Sequence, residues 1–221
     1  QLSDSFDHMI AKTAELMDER LRSEEQKRKS EWKALQAQIQ PHFLYNTLDS
    51  IIWMSHAGRN EEVVEMTSAL ALLLRSSIGD GSDTNTLKKE IAHVRSYLTI
   101  QKMRYNEKLR YEIDLDQQTE DCLLPKLVLQ PLVENAIKHG LMKLPEGGTV
   151  TVSTYETDTH YCVRVMDTGA GFDPATLRQD DRHVGLRNIR TRLETMCGGT
   201  LTVQSTPGRG TTVTIQIPRE G

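Results

Sequence analysis

The chain has 221 residues, of which 37% are hydrophobic, 26% charged and 5% aromatic, a composition that fits one large globular domain or two ordinary ones. A net charge of −4 lacks the basic footprint of a nucleic-acid binder, so no direct nucleic-acid contact is expected. Cys122, Cys162 and Cys197 are far apart and form no CxxC pair, and they read as reduced packing residues. No stretch approaches the roughly 18 uninterrupted apolar residues of a spanning helix, and none reads as a signal peptide. The first residue is Gln1 rather than methionine, so the expectation is a fragment whose upstream membrane segment was left out.

Residues 1–30 read as helix without Pro or Gly. Leu2, Phe6, Met9 and Leu16 form one apolar line, and Ile10, Ala14, Met17 and Leu21 form a neighbouring one, at the spacing of a coiled-coil seam. A surface helix packed on its own domain is the plainer account; a parallel dimeric linker is preferred because nothing nearby would cover two adjacent lines. The seam fades through SEEQKRKSE (23–31) and resumes at Trp32, Leu35 and Ile39, and the same count lands on His42 and Asn46.

Pro41 stands directly before His42 in this helical pattern. A proline there weakens the helix at Ala37 and creates a bending point, or it starts a new helix in its first turn; the sequence leaves both open. The apolar pattern continues to a break at 57–60, and a second helix is expected over 61–78 with Val63, Met66, Leu70, Leu73, Leu74 and Ile78 on one face. A single hairpin cannot bury two such faces, whereas two hairpins can pair into a four-helix bundle. The segment 79–85 reads as a loop, and a third helix as Leu87–Asn106 with Leu87, Ile91, Val94, Leu98 and Gln101 in register.

Past residue 105 the periodicity changes. Strands are predicted at 109–115, 149–156, 160–167, 200–205 and 211–217, with helices at 125–140 and 184–199 between them. Interleaved helices and strands of this kind form a two-layer α/β sandwich on a mixed sheet.

Three segments in this second half can carry chemistry. In LVENAIKHG, Asn135 sits mid-helix, and Lys138 and His139 follow within a turn, polar groups able to meet phosphates and a metal ion. DTGAGF (167–172) ends a strand with a carboxylate able to accept from an exocyclic amine, followed by Gly169 and Gly171, which let backbone approach a flat ligand. In GLRNIRTRL (185–193), Gly185 precedes a helix whose N-terminus suits a phosphate. Gly208 and Gly210 read as hairpin glycines and nothing more. None of the seven histidines has a zinc-like spacing, so no structural metal is expected.

Taken together, these segments resemble the N, G1 and G2 boxes of the GHKL ATP-binding fold of sensor histidine kinases, gyrase-type ATPases and Hsp90. LQAQIQPHFLYNTLDSI (35–51) with LVLQPLVENAIKHG (127–140) resembles the LytS/YesM-like sensor histidine kinases, and QLSDSFDHMI (1–10) resembles the last helix of a HAMP signal-relay module. The resemblance implies an α+β chain: a coiled-coil linker (1–30), a dimerisation and histidine phosphotransfer domain (31–104) and a catalytic ATP-binding domain (105–221). It implies ATP and Mg²⁺ as cofactors and a homodimer, with the receiver domain of a response regulator as partner. The chain would be the cytoplasmic portion of a bacterial inner-membrane sensor.

By the same resemblance His42 would accept the phosphoryl group, Asn135 would coordinate Mg²⁺, and Lys138 and His139 would meet the phosphates. Asp167 would bind the adenine amine, with Gly169 and Gly171 at the pocket edge. Gly185, Leu186 and Asn188 would lie against the triphosphate, and 172–184 would form a short lid. Asn46, four residues beyond His42 and so on its helix face, is the candidate to orient the imidazole. Gyrase-type ATPases carry a water-activating glutamate where this chain has Pro131, so ATP hydrolysis lacks its usual base. That argues against a clamping ATPase and leaves a catalytically silent nucleotide-binding relay as the alternative.

Overall fold

The computed structural model describes residues 41–77, 82–173 and 184–219, with Lys12, Met17 and Arg20 as helical, exposed positions. The rest of the expected coiled-coil seam, the resumed line through Ile39, and 174–183 of the expected lid lie outside the described residues. Among the described residues, no helix is long and apolar enough to cross a membrane. The chain divides into two compact units, Gln1–Asp49 and Ser50–Gly221.

Helix α1, Pro41–His56, ends at Gly58, whose φ of +72° only glycine adopts at little cost. The Gly58 N–H donates to the Ser55 carbonyl at 3.1 Å and the Arg59 N–H to that of Met54 at 3.0 Å, the paired closure of a left-handed helix end. Helix α2, Asn60–Ser77, starts at once and buries Met66, Ala69, Leu70 and Leu73, packing along the next helix.

That helix, α3, is Leu87–Tyr105, with Thr86 as N-cap accepting from the Lys89 N–H. All five residues of its expected apolar line are buried. Its neighbours also include two elements of the sheet-bearing half of the chain: β2 (Leu109–Asp114) and helix α4 (Leu129–Asn135). The expected loop at 79–85 contains structure after all. Thr84–Thr86 forms β1, antiparallel to β3, Leu123–Pro125. Strands of three residues are too short for an alternation to register, and each is defined only by its distant partner.

The main sheet takes the order β2-β4-β5-β7-β6, with β4 Gly148–Glu156, β5 His160–Asp167, β6 Thr200–Thr206 and β7 Gly210–Pro218. Only β2 and β4 run parallel, so the sheet is mixed, as the sequence implies, and each of its five strands lies within one residue of its expected ends. One face is apolar: Val152 pairs Val165, Val165 pairs Val213, and Val163 pairs Ile215. Leu98 of α3, Ile137, and Leu193 of helix α5 (Val184–Cys197) are fully buried in the same domain. Replacing Leu98 by alanine is expected to cost about 2–5 kcal/mol, the range for a large buried aliphatic. Urea denaturation should show a lower midpoint at an unchanged slope.

Candidate functional site

The site begins where β5 ends. Asp167 is the last residue of this central strand, opposite Val150 on one side and Thr211 on the other, and is 5% exposed. Its Oδ1 accepts the Gly169 N–H at 2.8 Å, and the Thr211 N–H also donates to the carboxylate. Burial pushes its pKa above the ordinary carboxylate value, against the opposing pull of these two backbone donors.

Three glycines make the enclosure possible. A Cβ on Gly140 would lie 2.6 Å from Asp167 Oδ1, and one on Gly169 only 2.3 Å from the Gly140 carbonyl carbon. Gly210, at φ +89°, presses so closely that a Cβ would come 1.9 Å from the Asp167 carbonyl oxygen. It is therefore more than the hairpin glycine that the sequence suggests, whereas Gly208 has open space around it. Gly171, at φ +59°, is also obligatory, since its Cβ would meet the Thr206 carbonyl oxygen at 2.0 Å. Gly140 was not singled out from sequence and Gly210 was read only as a hairpin glycine; contact between segments distant in the chain gives both their role.

Gly140 reaches Asp167 because the helix of the N-box segment changes pitch. Helix α4 stops at Asn135, and Ala136–Gly140 forms a π-helical turn, a local widening common at functional sites. Asn135 is half-buried at that junction; Lys138 and His139 are exposed on the turn, and Lys138 pairs with Glu134. The Gly140 carbonyl then accepts from the Ala170 N–H at 3.2 Å, tying the N-box segment to the glycine loop after Asp167.

The start of α4 shows residues that local reading missed. Leu127 has φ +56°, a left-handed conformation that costs a non-glycine residue on the order of 1–3 kcal/mol. Val128 offers no side-chain cap. Instead the buried carboxylate of Glu90, on α3, accepts from the N–H groups of Leu127 at 3.0 Å, Val128 at 3.1 Å and Leu129 at 3.5 Å. Bonds to a charged acceptor contribute roughly 1.5–3 kcal/mol each, enough together to offset the strained turn. Asn85 adds a fourth bond to the same carboxylate, and His93 Nε2 lies 2.6 Å from Gln130 Oε1.

The remaining predicted residues fall in two places. Gly185, Leu186 and Asn188 lie together at the start of α5, which is anchored by buried Ile189 and Leu193 and by Arg192 donating to the Lys126 carbonyl at 2.7 Å. No described atom lies within 4 Å of where a Gly185 Cβ would be. In the other unit, His42 is exposed on α1, and Asn46 Nδ2 lies 3.0 Å from its Nδ1 and 3.2 Å from its Nε2. The donor set suits Mg²⁺-ATP: Asn135 supplies a neutral oxygen, Lys138 a surface cation, and Asp167 an acceptor walled by backbone.

Residues 30–109 match the family model described as histidine kinase, and residues 120–221 match that of the histidine kinase-, DNA gyrase B- and HSP90-like ATPases. The chain belongs to the sensor histidine kinases of the GHKL superfamily. The sensor histidine kinase YesM of Bacillus subtilis is 38% identical over 220 residues, covering 98% of this chain and 38% of YesM. LytS of Staphylococcus aureus, a sensor histidine kinase/phosphatase, is 31% identical over 203 residues, covering 86% of this chain and 35% of LytS. The chain therefore spans little more than a third of the length of these relatives. The blue-light activated histidine kinase EL346 of Erythrobacter litoralis shares the fold at a TM-score of 0.50 and 18% identity, covering 83% of this chain and 59% of that one.

The raised pKa of Asp167 has a testable sign. Its folded value lies above the unfolded one, so its contribution is full below the ordinary carboxylate value and is lost as pH rises through the folded value. Asp167→Asn removes that loss. In thermal melts the variant should gain on the parent as pH rises to neutrality, and the gain should fade below about pH 4, the ordinary aspartate range. Nucleotide binding should be lost at every pH.

Proposed function

We propose that the chain is the kinase core of a two-component sensor, transferring the γ-phosphoryl group of ATP to His42, from which an aspartate of a response regulator's receiver domain takes it. The observation that carries the reading is the Asp167 enclosure: a buried carboxylate whose protein donors are backbone N–H groups, walled by Gly140 and Gly169, with Gly210 pressed against its backbone carbonyl. Such an acceptor, set at a strand end beside a glycine loop, suits the exocyclic amine of a flat base. Gly171 holds the loop edge, and Asn135, Lys138 and His139 face the phosphates from the turn before Gly140. Gly185, Leu186 and Asn188 meet them from the N-terminus of α5.

Phosphoryl transfer asks a protein mainly for positioning and charge neutralisation. Asn135 would hold Mg²⁺, which would supply charge neutralisation, and Lys138 would add a cation on turning from Glu134. His42 attacks with a ring-nitrogen lone pair: the N–P bond forms as the bond from phosphorus to the bridging oxygen breaks, leaving ADP. Asn46 keeps that lone pair available. With its amide turned so that Oδ1 accepts the Nδ1–H, Nε2 is unprotonated and carries the lone pair.

Tyr45, Leu48, Ile52 and Trp53 of α1, with Val64 and Leu72 of α2, leave apolar surface exposed. A homodimer covers it by joining two hairpins into a four-helix bundle. Residues 31–104 then serve as the dimerisation and phosphotransfer domain and 105–221 as the ATP-binding domain. The chain is the cytoplasmic portion of a longer membrane sensor, in keeping with its share of the length of its relatives.

Incubation with γ-labelled ATP and Mg²⁺ should label the chain with an acid-labile, alkali-stable phosphoryl group. His42→Gln should abolish the label. Asn46→Ala should slow labelling about tenfold, the equivalent of one hydrogen bond. Label retained in His42→Gln would sink the assignment of the acceptor, and an unchanged rate in Asn46→Ala would remove Asn46 from the mechanism.

A further inference from the structure

We propose that Glu90 of α3 is a positioning residue for the phosphate and metal half of the nucleotide site, acting through the axial and rotational setting of α4. The inference rests on the reading of Asn135 and Lys138 given above. Leu127 in the left-handed region followed by right-handed Val128 turns successive N–H groups to one side, a concavity that elsewhere binds anions. Here its occupant is a side chain from another helix. Glu90 is 1% exposed and takes Leu127, Val128 and Leu129 at once, so α4 cannot slide or rotate without breaking several bonds in a dry environment.

Two further residues continue the same face of α3. His93, buried, meets Gln130 one turn along, and Tyr97 is also buried, its hydroxyl pKa pushed upward by burial and, to a lesser degree, by the charge of Glu134. Glu134 in turn pairs with Lys138. Positions 90 and 93 thus meet the start of α4 and then Gln130, on the helix whose later Glu134 holds the lysine expected at the phosphates. Gln101, the next position on this face, bonds Tyr97 and has the one buried side-chain acceptor lacking a partner among the described residues. α3 also packs along α2, so it links the helical half of the chain directly to the N-box segment.

The donors to the Asp167 carboxylate, Gly169 and Thr211, lie outside α4, and only its Gly140 wall rides on the helix's extension, so disturbing Glu90 should affect the adenine end of the pocket less than the phosphate end. This gives a readout that a general loss of stability would not produce. In the full chain, Glu90→Gln places an amide N–H against backbone N–H donors while keeping the side chain's size. Calorimetric titration should show Mg²⁺-ATP affinity falling about tenfold or more, as for loss of an outer partner of a metal site, with adenosine affinity changed less than about twofold. Equal losses for both ligands, or none for either, would overturn the proposal. Asn135→Ala serves as the reference. If it loses Mg²⁺-ATP affinity while Glu90→Gln does not, only the role of Glu90 falls; if Asn135→Ala itself leaves Mg²⁺-ATP affinity intact, the reading of the N box fails and the inference falls with it. His93→Gln, which removes a neighbouring contact without touching the N–H cluster, should produce a smaller loss in the same direction.

Discussion

Burying the Asp167 carboxylate is expensive in free energy, and much of the ATP-binding domain is arranged around meeting that requirement with backbone. A charged partner would cancel the acceptor that a base amine needs, so the carboxylate is held by peptide N–H groups from its own strand-end turn and from β7. Backbone can come this near only where side chains are missing, hence Gly140, Gly169 and Gly210 on three separate segments. Placing Asp167 on β5 beside β7 lets that neighbour supply Gly210 and the Thr211 N–H. The π-helical turn is then a geometric necessity: it carries the N-box chain from the half-buried Asn135 to a glycine in contact with the carboxylate.

The other end of the N-box segment meets its own constraint. A helix leaves its first four N–H groups without internal partners, and this one begins without Ser, Thr, Asp or Asn at its cap. Glu90 supplies what the local sequence lacks, from a position in the chain before the whole of β2 and β3. Helix α4 is consequently fixed at both ends by elements distant in sequence: Glu90 at its start and the Gly140–Ala170 bond beyond its π-helical extension.

These constraints separate what could be read from the sequence from what could not. The five main strands and α3 were legible because a burial period of two or of 3.6 repeats over six or more residues, and Val152 and Val213 alternate with polar neighbours as the sheet requires. β1 and β3 were not, being too short for a period to repeat. The helix expected from Pro125 starts only at Leu129, because Leu123–Pro125 pairs with β1 and Leu127 must then turn left-handed. Asp167, Gly169 and Gly171 were legible as a strand-end motif; Gly140, Gly210 and Glu90 depend on contacts between distant segments, and nothing beside them in sequence announces those contacts.

Pro131 joins the two halves of this reasoning. It occupies the third position of α4, where a residue's N–H has no helical acceptor, so proline removes an unsatisfied donor at little cost. With Val128 and Leu129 donating to Glu90, most of the helix start is then satisfied without water. The same residue stands where gyrase-type ATPases carry the glutamate that activates water. A side chain that completes the dry capping of α4 is therefore also one that cannot act as a base. On the proposed function the two consequences agree: α4 is set firmly for binding, water is left unactivated, and the phosphoryl group is kept for the imidazole of His42.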